Sequence, residues 1–338
     1  MKRGCRISVW TVLTGIVMGS VVAWPACATA QTGPLQVLKT LKVGGPGGWD
    51  YLTVDSATQR VYVSHATHVM VLNLSTGTLI GEIPDTSGVH GIALVPERNE
   101  GFTSNGRENT LTVFDLKTLK ALRMVPAGRN PDAIIYDPFT KKVFAFNGRS
   151  GDITIVDTTA PDTAPVTLPV GGKLESGVSD EAGHIYVNVE DKSEIVAVDS
   201  RENKVLAHWP IAPGEEPTGL AIDREHHRLF AGCGNQMMVV VDLEQGKVLT
   251  TAPVGSGVDG IAFDAASGLI VTPNGRDGTL TVVKEDPAGT FKVVQTLKTA
   301  VGARTITSDP KTHRFYLPCN VTTNGVSEFS VLVVGVPG

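Results

Sequence analysis

A unit of about forty residues recurs seven times along the chain, and repetition at this period constrains the fold more than any other feature. Each unit opens with a short apolar segment that ends in a polar residue, as in residues 219–223. A polar turn leads to a second apolar segment, such as residues 185–188, and then to a third with alternating polarity, such as residues 110–115. A fourth segment, such as residues 248–252, completes the unit.

These segments have the pattern of short β-strands. Period-two alternation bounded by Gly, Asp, Asn and Pro is typical of strands. The 37 Gly, the 20 Pro and the low aromatic content of 6% also fit short strands joined by tight turns. One four-stranded unit cannot bury both of its faces, so the units must pack around a channel. The sequence therefore predicts an all-β fold, a single seven-bladed β-propeller of four-stranded blades.

The two ends of the chain predict how the ring closes. The seventh unit ends after its third strand, residues 329–335, and lacks a fourth. Residues 37–43 resemble residues 294–300, the fourth strand of the sixth unit. We therefore expect the N-terminal strand to complete the last blade and to remove two exposed sheet edges.

The first thirty residues have the pattern of a secretory signal peptide. Three basic residues lie within the first six positions, residues 7–22 are apolar, and Ala28-Thr29-Ala30 suits a cleavage site. We predict a signal peptide over 1–30 and the propeller over 31–338, located in the periplasm or secreted. An uncleaved anchor helix and a lipoprotein cut before Cys27 are the alternatives. No later segment is apolar for long enough to span a membrane.

The charge of the mature part limits its partners. Without the three basic residues of the first thirty, 26 Lys and Arg face 34 Asp and Glu. General nucleic-acid binding requires a basic footprint, so we do not expect it here. The partner is expected to be an unknown ligand or another exported protein, and the propeller is expected to be a monomer.

Alignment of the seven units places one residue from each innermost strand at one mouth of the channel. We call these residues the mouth ring: Asp50, His90, Asp132, Glu175, Thr218, Asp259 and Arg304. Glu216, two residues before Thr218, is expected to face the same way. One interpretation is a solvated polar ring without a ligand. The other is a site for a small molecule or a metal.

The metal interpretation depends on donor chemistry. Several carboxylates in one funnel suit a hard divalent cation. His90 beside Asp50 and Asp132 suits zinc or another transition metal, and His65, at the end of a second strand, adds a further imidazole. A divalent metal is thus the one candidate cofactor.

Three loops on the predicted mouth face share the tripeptide Asn-Gly-Arg, and their arginines are Arg107, Arg149 and Arg276. Asn-Gly is a strong hairpin signal because both residues accept positive φ, so a structural role explains the dipeptide. The turn does not require arginine. The three guanidinium groups either bind an anion or pair with neighbouring acids such as Glu108 and Asp277.

Cys233 and Cys319 end the second strands of blades five and seven. A whole blade separates them, and a disulfide needs Cα atoms within about 7 Å. We therefore predict two unpaired thiols.

The second strands, above all Tyr186-Val187-Asn188, resemble the bacterial YVTN-repeat (YncE-like) β-propeller family over nearly all of residues 35–335. The resemblance implies the fold but no single activity, because this family shares none. Related propeller families include lactonases and the electron-transfer or docking modules of periplasmic redox enzymes.

The sequence lacks the common catalytic motifs, which favours binding over catalysis. The chain contains no Cys-x-x-Cys-His, Gly-x-Ser-x-Gly, P-loop or His-Glu-x-x-His motif. We expect a ligand- or protein-binding module that uses the channel-mouth face. The alternative is a metal-assisted lactonase, hydrolase or lyase in the channel mouth, with the ring carboxylates and His90 as ligands or acid–base groups.

Overall fold

The structure is a computed structural model that describes Met1, residues 33–45 and residues 47–337. The predicted signal peptide lies outside the described residues, apart from Met1. Gly33–Gly338 form one compact unit. Within its described part, seven antiparallel sheets of four strands each are arranged as the blades of a propeller, which confirms the predicted fold class. None of the described helices has the length and hydrophobicity needed to cross a lipid bilayer.

The strands are numbered along the chain, and each blade contributes one strand to each of four layers around the channel. From blade one to blade seven, the inner strands are β2 (Trp49–Asp55), β6 (Val89–Val95), β10 (Pro131–Asp137), β14 (Leu174–Ser179), β18 (Pro217–Asp223), β22 (Ala262–Asp264) and β26 (Thr307–Asp309). The second strands are β3 (Arg60–His65), β7 (Glu100–Asn105), β11 (Lys142–Asn147), β15 (His184–Val189), β19 (Arg228–Cys233), β23 (Leu269–Asn274) and β27 (Arg314–Thr323). The third strands are β4 (His68–Asn73), β8 (Thr110–Asp115), β12 (Asp152–Asp157), β16 (Glu194–Asp199), β20 (Met237–Asp242), β24 (Thr279–Glu285) and β28 (Val326–Gly335). The outer strands are β5 (Leu79–Ile83), β9 (Ala121–Pro126), β13 (Val166–Pro169), β17 (Lys204–Pro210), β21 (Val248–Pro253), β25 (Phe291–Lys298) and β1 (Gln36–Lys42).

Short turns separate these strands, and two of them contain single 3₁₀ turns at Pro96–Arg98 and Glu190–Lys192. Aspartates at strand ends account for many of the turns. The Asp55 carboxylate accepts hydrogen bonds from the backbone N–H groups of Ala57 and Thr58 at 3.0 and 3.1 Å. This Asx geometry stops a strand and reverses the chain.

The hydrophobic core lies between neighbouring blades. Between blades one and two, Tyr62 packs against Phe114 with ring centroids 6.0 Å apart, and Ile83 and Leu119 close the cluster. Burial of each such side chain stabilises the fold by roughly 1.5–3 kcal/mol. Because every blade supplies one face to each neighbour, the core is a ring of similar clusters around the channel.

The N-terminal strand completes blade seven, as the sequence predicts. β1 pairs antiparallel with β28, and Leu41 lies opposite Val331. Leu41 is buried, with 2% of its surface exposed. The ring is therefore closed by strands from opposite ends of the chain.

The two cysteines of the propeller are unpaired and buried, as predicted. Burial raises the pKa of the Cys233 thiol to about 12 and has the same effect on Cys319. Both thiols therefore stay protonated at neutral pH and behave as small apolar side chains.

Candidate functional site

The mouth ring forms where the inner strands begin. Asp50 is the second residue of β2, and His90, Asp132, Glu175 and Thr218 hold the same place in the next four inner strands. Pairing with the second strand is irregular at this point in blades one to five, for example between Trp49 and Leu52. Such irregularities re-aim side chains at the rims of closed sheets.

The last two members of the mouth ring precede their inner strands. Val258 forms an isolated bridge with Asn274, which places Asp259 at the equivalent position of blade six. Arg304 lies three residues before β26. The structure thus assigns one ring residue to each blade.

Five ring residues form a continuous chain of polar contacts. Arg304 Nε lies 2.8 Å from Asp259 Oδ2, and its Nη2 lies 3.5 Å from Asp50 Oδ1. Asp50 Oδ2 lies 2.6 Å from His90 Nδ1, which is 3.7 Å from Asp132 Oδ1. Arg304 also donates to the carbonyl of Trp49 at 2.8 Å. The charges on this side of the mouth therefore compensate one another.

Burial and mutual contact determine the pKa values of His90 and Asp132 in this series of polar contacts. Burial alone would lower the pKa of His90, but the hydrogen bond to Asp50 and the charges of Asp132 and Asp50 raise it overall. Burial raises the pKa of Asp132 to about 7, with added repulsion from Asp50 that His90 partly offsets. The pKa values of the imidazole and of this carboxyl group are thus both raised, and perturbed groups of this kind cluster at functional sites.

Glu175 lies in a second charged group. Lys173 Nζ is 2.9 Å from Glu175 Oε1 and also contacts the carboxylate of Glu190. Burial, together with the charge of Asp132, raises the pKa of Glu175 to about 9. One lysine thus contacts two carboxyl groups, of which Glu175 holds its proton at neutral pH.

Tyr51 is a channel residue that our sequence reasoning missed. Its hydroxyl reaches Ser176 Oγ at 3.4 Å, from blade one to blade four across the channel. Burial and the charges of Asp132 and Asp50 raise the pKa of this phenol. The sequence did contain a signal, because the other six blades have small residues here: Gly91, Ala133, Ser176, Gly219, Gly260 and Thr305.

Below the mouth, Tyr51 borders a cavity of about 230 Å³ within the channel, whose other lining residues include Ile135 and Ile306. The mouth is charged, whereas aliphatic side chains such as Ile135 and Ile306 line part of the cavity. The tyrosine ring therefore lies at the boundary between two different environments.

The predicted backbone conformation of the Asn-Gly-Arg loops is wrong. The asparagine and the glycine do not adopt positive φ. The fifth residue of each loop does, at Asn109, Gly151 and Gly278. The loop asparagine is instead a buried cap. Asn105 Nδ2 donates to Thr112 Oγ1 at 2.8 Å, and Asn147 and Asn274 make equivalent bonds to threonines.

The loop glycines are required by close packing. A Cβ on Gly106 would lie 2.6 Å from His90 Nε2, and one on Gly275 would lie 2.7 Å from Arg304 Cβ. Two of the three loops therefore lie directly against members of the mouth ring, and the third packs against the carbonyl oxygen of Leu174, 3.1 Å from a Cβ on Gly148. This contact, and not a two-residue turn, explains the Asn-Gly pair.

Two of the three loop arginines share one pocket with an arginine that our sequence reasoning missed. The pocket has a volume of about 560 Å³, and we call it the basic pocket. Arg107 and Arg149 line it together with Arg129, from the link between β9 and β10, and His90 forms part of its wall. No carboxylate is among its described lining residues. The three arginines are exposed and, within the described chain, make no ion pair.

The third loop arginine lies elsewhere on the mouth face. Arg276 lines a separate pocket of about 310 Å³ with Glu216, Glu190, Asp259 and Arg304. Its neighbour Asp277 accepts a hydrogen bond from the backbone of Ser256 at 2.7 Å and forms no ion pair among the described residues. Pairing of the loop arginines with Glu108 or Asp277 is therefore absent from the described chain.

The candidate metal ligands divide into two groups. Ligand atoms of Asp50, His90 and Asp132 lie within 4.8 Å of one another, a separation that one cation can bridge. His65 is not in this group. Its ring is buried against Phe329 with centroids 4.6 Å apart, and His68 lies at its edge. The structure thus brings together three of the four predicted ligands.

Comparisons with known proteins agree with the fold. The chain superimposes on the WD40 β-propeller domain of Doa1 with a TM-score of 0.71, at 14% sequence identity, over 89% of this chain and 97% of that one. It is 24% identical over 189 residues to antigen Lp49 of Leptospira interrogans serogroup Icterohaemorrhagiae serovar copenhageni. That match covers 54% of this chain and 40% of the length of the Leptospira protein. No protein-family model matches the chain.

Proposed function

We propose that this propeller is an exported binding module that holds an anionic ligand in the basic pocket of its mouth face. The observation that carries the proposal is the convergence of Arg107, Arg129 and Arg149 in one pocket, with no acidic partner in the part of the chain that the structure describes. Like charges that converge in this way repel one another, and a bound anion would relieve the repulsion.

The chemistry of the three side chains indicates the ligand class. A guanidinium group is planar and matches carboxylate or phosphate through two parallel hydrogen bonds. Three such groups, with His90 as a further donor at the inner wall, suit a ligand with two or more carboxylate or phosphate groups. The pocket volume of about 560 Å³ is in the usual range for small-molecule sites.

The wider context of the proposal comes from the sequence. We infer that the chain is related to YVTN-repeat (YncE-like) propellers on the strength of its second strands, such as Tyr186-Val187-Asn188. Cleavage after Ala30 would release residues 31–338 as a monomeric mature domain in the periplasm or outside the cell. The basic start and apolar core of the first thirty residues support this assignment.

The test is calorimetric titration of the full chain with citrate and with inorganic pyrophosphate at low ionic strength. We expect binding of at least one probe, with about tenfold weaker affinity in Arg107→Gln and in Arg149→Gln, since charge-assisted hydrogen bonds contribute about 1.5–3 kcal/mol. Arg276→Gln is the matched control, because it changes the same tripeptide outside the basic pocket.

Two results would contradict the proposal. One is the absence of binding of either probe by the unchanged chain. The other is an equal loss of affinity in all three variants, which would indicate a general charge effect and not a pocket.

A second candidate function is supported by the cluster of Asp50, His90 and Asp132. A divalent metal held there could polarise an ester or lactone carbonyl or activate water, with Arg304 beside Asp50 to steady a developing negative charge. Metal analysis of the purified chain and of His90→Ala tests this. One equivalent of metal that is lost in the variant would support the enzyme; a metal-free protein that hydrolyses no lactone or ester would reject it.

A further inference from the structure

A groove of about 540 Å³ lies between blades four and five on the face opposite the mouth. Its walls come from the turns at the far ends of the strands and from the outer strand β17. The main lining side chains are Tyr186, Trp209, Leu206, His227 and Glu244. No residue of the mouth ring or of the basic pocket takes part, so the groove is independent of the function proposed above.

The groove exists because two positions in blade five have smaller residues than the equivalent positions in blade two. Between blades one and two, the larger side chains fill the corresponding space. In both places a tyrosine from the second strand, Tyr62 or Tyr186, packs against the next blade. Tyr62 meets Phe114 and Leu119, which are 0% and 8% exposed. At the corresponding positions blade five has Val241 and Gly246, as the shared turn bonds to Asp115 and Asp242 show.

Trp209 takes part of the vacated space. Its indole stacks on Tyr186 with centroids 5.5 Å apart, and a Cβ on Gly246 would lie 2.3 Å from the indole ring. The glycine is therefore required beneath the tryptophan. Ala197 and Ala207, which also line the groove, are too short to fill what remains.

Polar atoms with no partner face this largely apolar groove. Tyr186 is 4% exposed, and its hydroxyl, which is not fully buried, has no hydrogen bond among the described residues; the same holds for the indole N–H of Trp209. Glu244 and His227 at the rim also have no side-chain partner within the described chain. By contrast, Asp180 is satisfied by His184 at 2.7 Å.

We propose that this groove binds a sugar residue of a neutral carbohydrate. A ligand without polar groups would leave the hydroxyl and the indole N–H buried and unpaired, which is costly. An anion would meet Glu244, and among the described lining residues the one Lys or Arg side chain, Arg224, is already held by Glu181 at 2.8 Å. A pyranose ring has apolar faces and hydroxyl groups at its edge, which matches the apolar walls and the unpartnered donors and acceptors.

The test is saturation-transfer NMR and calorimetry on the full chain with maltose, cellobiose and N,N′-diacetylchitobiose. We expect at least one disaccharide to bind. Tyr186→Phe should weaken it about three- to tenfold, the usual effect of one neutral hydrogen bond. Tyr62→Phe is the matched control, because that hydroxyl is buried without a partner between blades one and two, and it should not change binding.

Ala207→Phe is a second variant. Ala207 is half-buried on the outer strand β17, and a phenylalanine there would fill the groove. This variant should abolish sugar binding without a change in the thermal unfolding temperature. Citrate should not compete with the disaccharide, which separates this site from the basic pocket. Absence of binding by all three sugars overturns the proposal. Binding of N-acetylphenylalaninamide in place of the sugars would also overturn it and would identify the groove as a site for an aromatic peptide side chain.

Discussion

The mouth of this propeller has two regions that use arginine in opposite ways. In the first, Arg304 is tied to Asp259 at 2.8 Å and to the carbonyl of Trp49, so its charge is neutralised within the protein. In the basic pocket, Arg107 and Arg149 are exposed and have no acidic partner among the described residues. The comparison shows that counting charged residues at a channel mouth does not identify a ligand site. What identifies it is which charges remain uncompensated.

The largest expected effect concerns the group in which Lys173 contacts both Glu175 and Glu190 and in which Glu175 is protonated at neutral pH. Glu175 has a pKa of about 9 in the fold and about 4.3 when unfolded, so the folded state binds the extra proton. Its contribution to stability is complete below about pH 4 and is lost as the pH rises towards 9.

We therefore expect the free energy of unfolding to fall by about 5 kcal/mol more in the unchanged chain than in Glu175→Gln between pH 5 and pH 9. Urea unfolding at several pH values measures this. Parallel pH profiles for the two proteins would show that Glu175 is ionised in the fold.

The second-largest effect is expected where Arg304 forms ion pairs with Asp259 and Asp50. Arg304→Met removes the guanidinium group that faces Asp259 and Asp50, and we expect a loss of about 2 kcal/mol, a value that allows for the partial exposure of the arginine. Urea unfolding at pH 7 measures it. Arg276→Met, on the same face but without an ion pair among the described residues, should change stability by less than about 0.5 kcal/mol. Equal losses in the two variants would remove the distinction between the regions.

The smallest effect is expected in the basic pocket. Arg107→Gln should leave the free energy of unfolding unchanged or raise it by up to about 0.5 kcal/mol, because it relieves repulsion among three like charges. The measurement is urea unfolding at low ionic strength without added anions. A loss of more than 1 kcal/mol would mean that Arg107 has a structural partner and that the pocket is not poised for a ligand.

The sequence was sufficient for the features that repeat. Strand polarity, the end of the seventh unit and its resemblance to residues 37–43 predicted seven blades and their closure. The same alignment placed Asp50, His90 and Arg304 at one mouth, because a ring residue is defined by its position in the repeat.

The sequence did not predict features that arise where one repeat differs from the other six. Tyr51 spans the channel only because blade one has a tyrosine where six blades have small residues. Arg129 joins the basic pocket from a link between blades that lies outside the Asn-Gly-Arg motif. The groove beside Trp209 results from the volumes of side chains in two different blades, and no pattern within one repeat encodes it.

Closure of blade seven also bears on how the chain reaches its native state. β1 and β28 are neighbours in space although almost the whole chain separates them, so their contact has a very high sequence separation. Pairing of this kind is intrinsically slow to form, because the loop must close before the contact contributes. During synthesis the first strand emerges long before its partner. Until β1 and β28 have paired within one molecule, Leu41 and Phe329 remain uncovered, and β28 is free to accept the N-terminal strand of another molecule. We expect refolding at high protein concentration to give strand-exchanged dimers, and a chaperone that shields the N-terminal strand to suppress them.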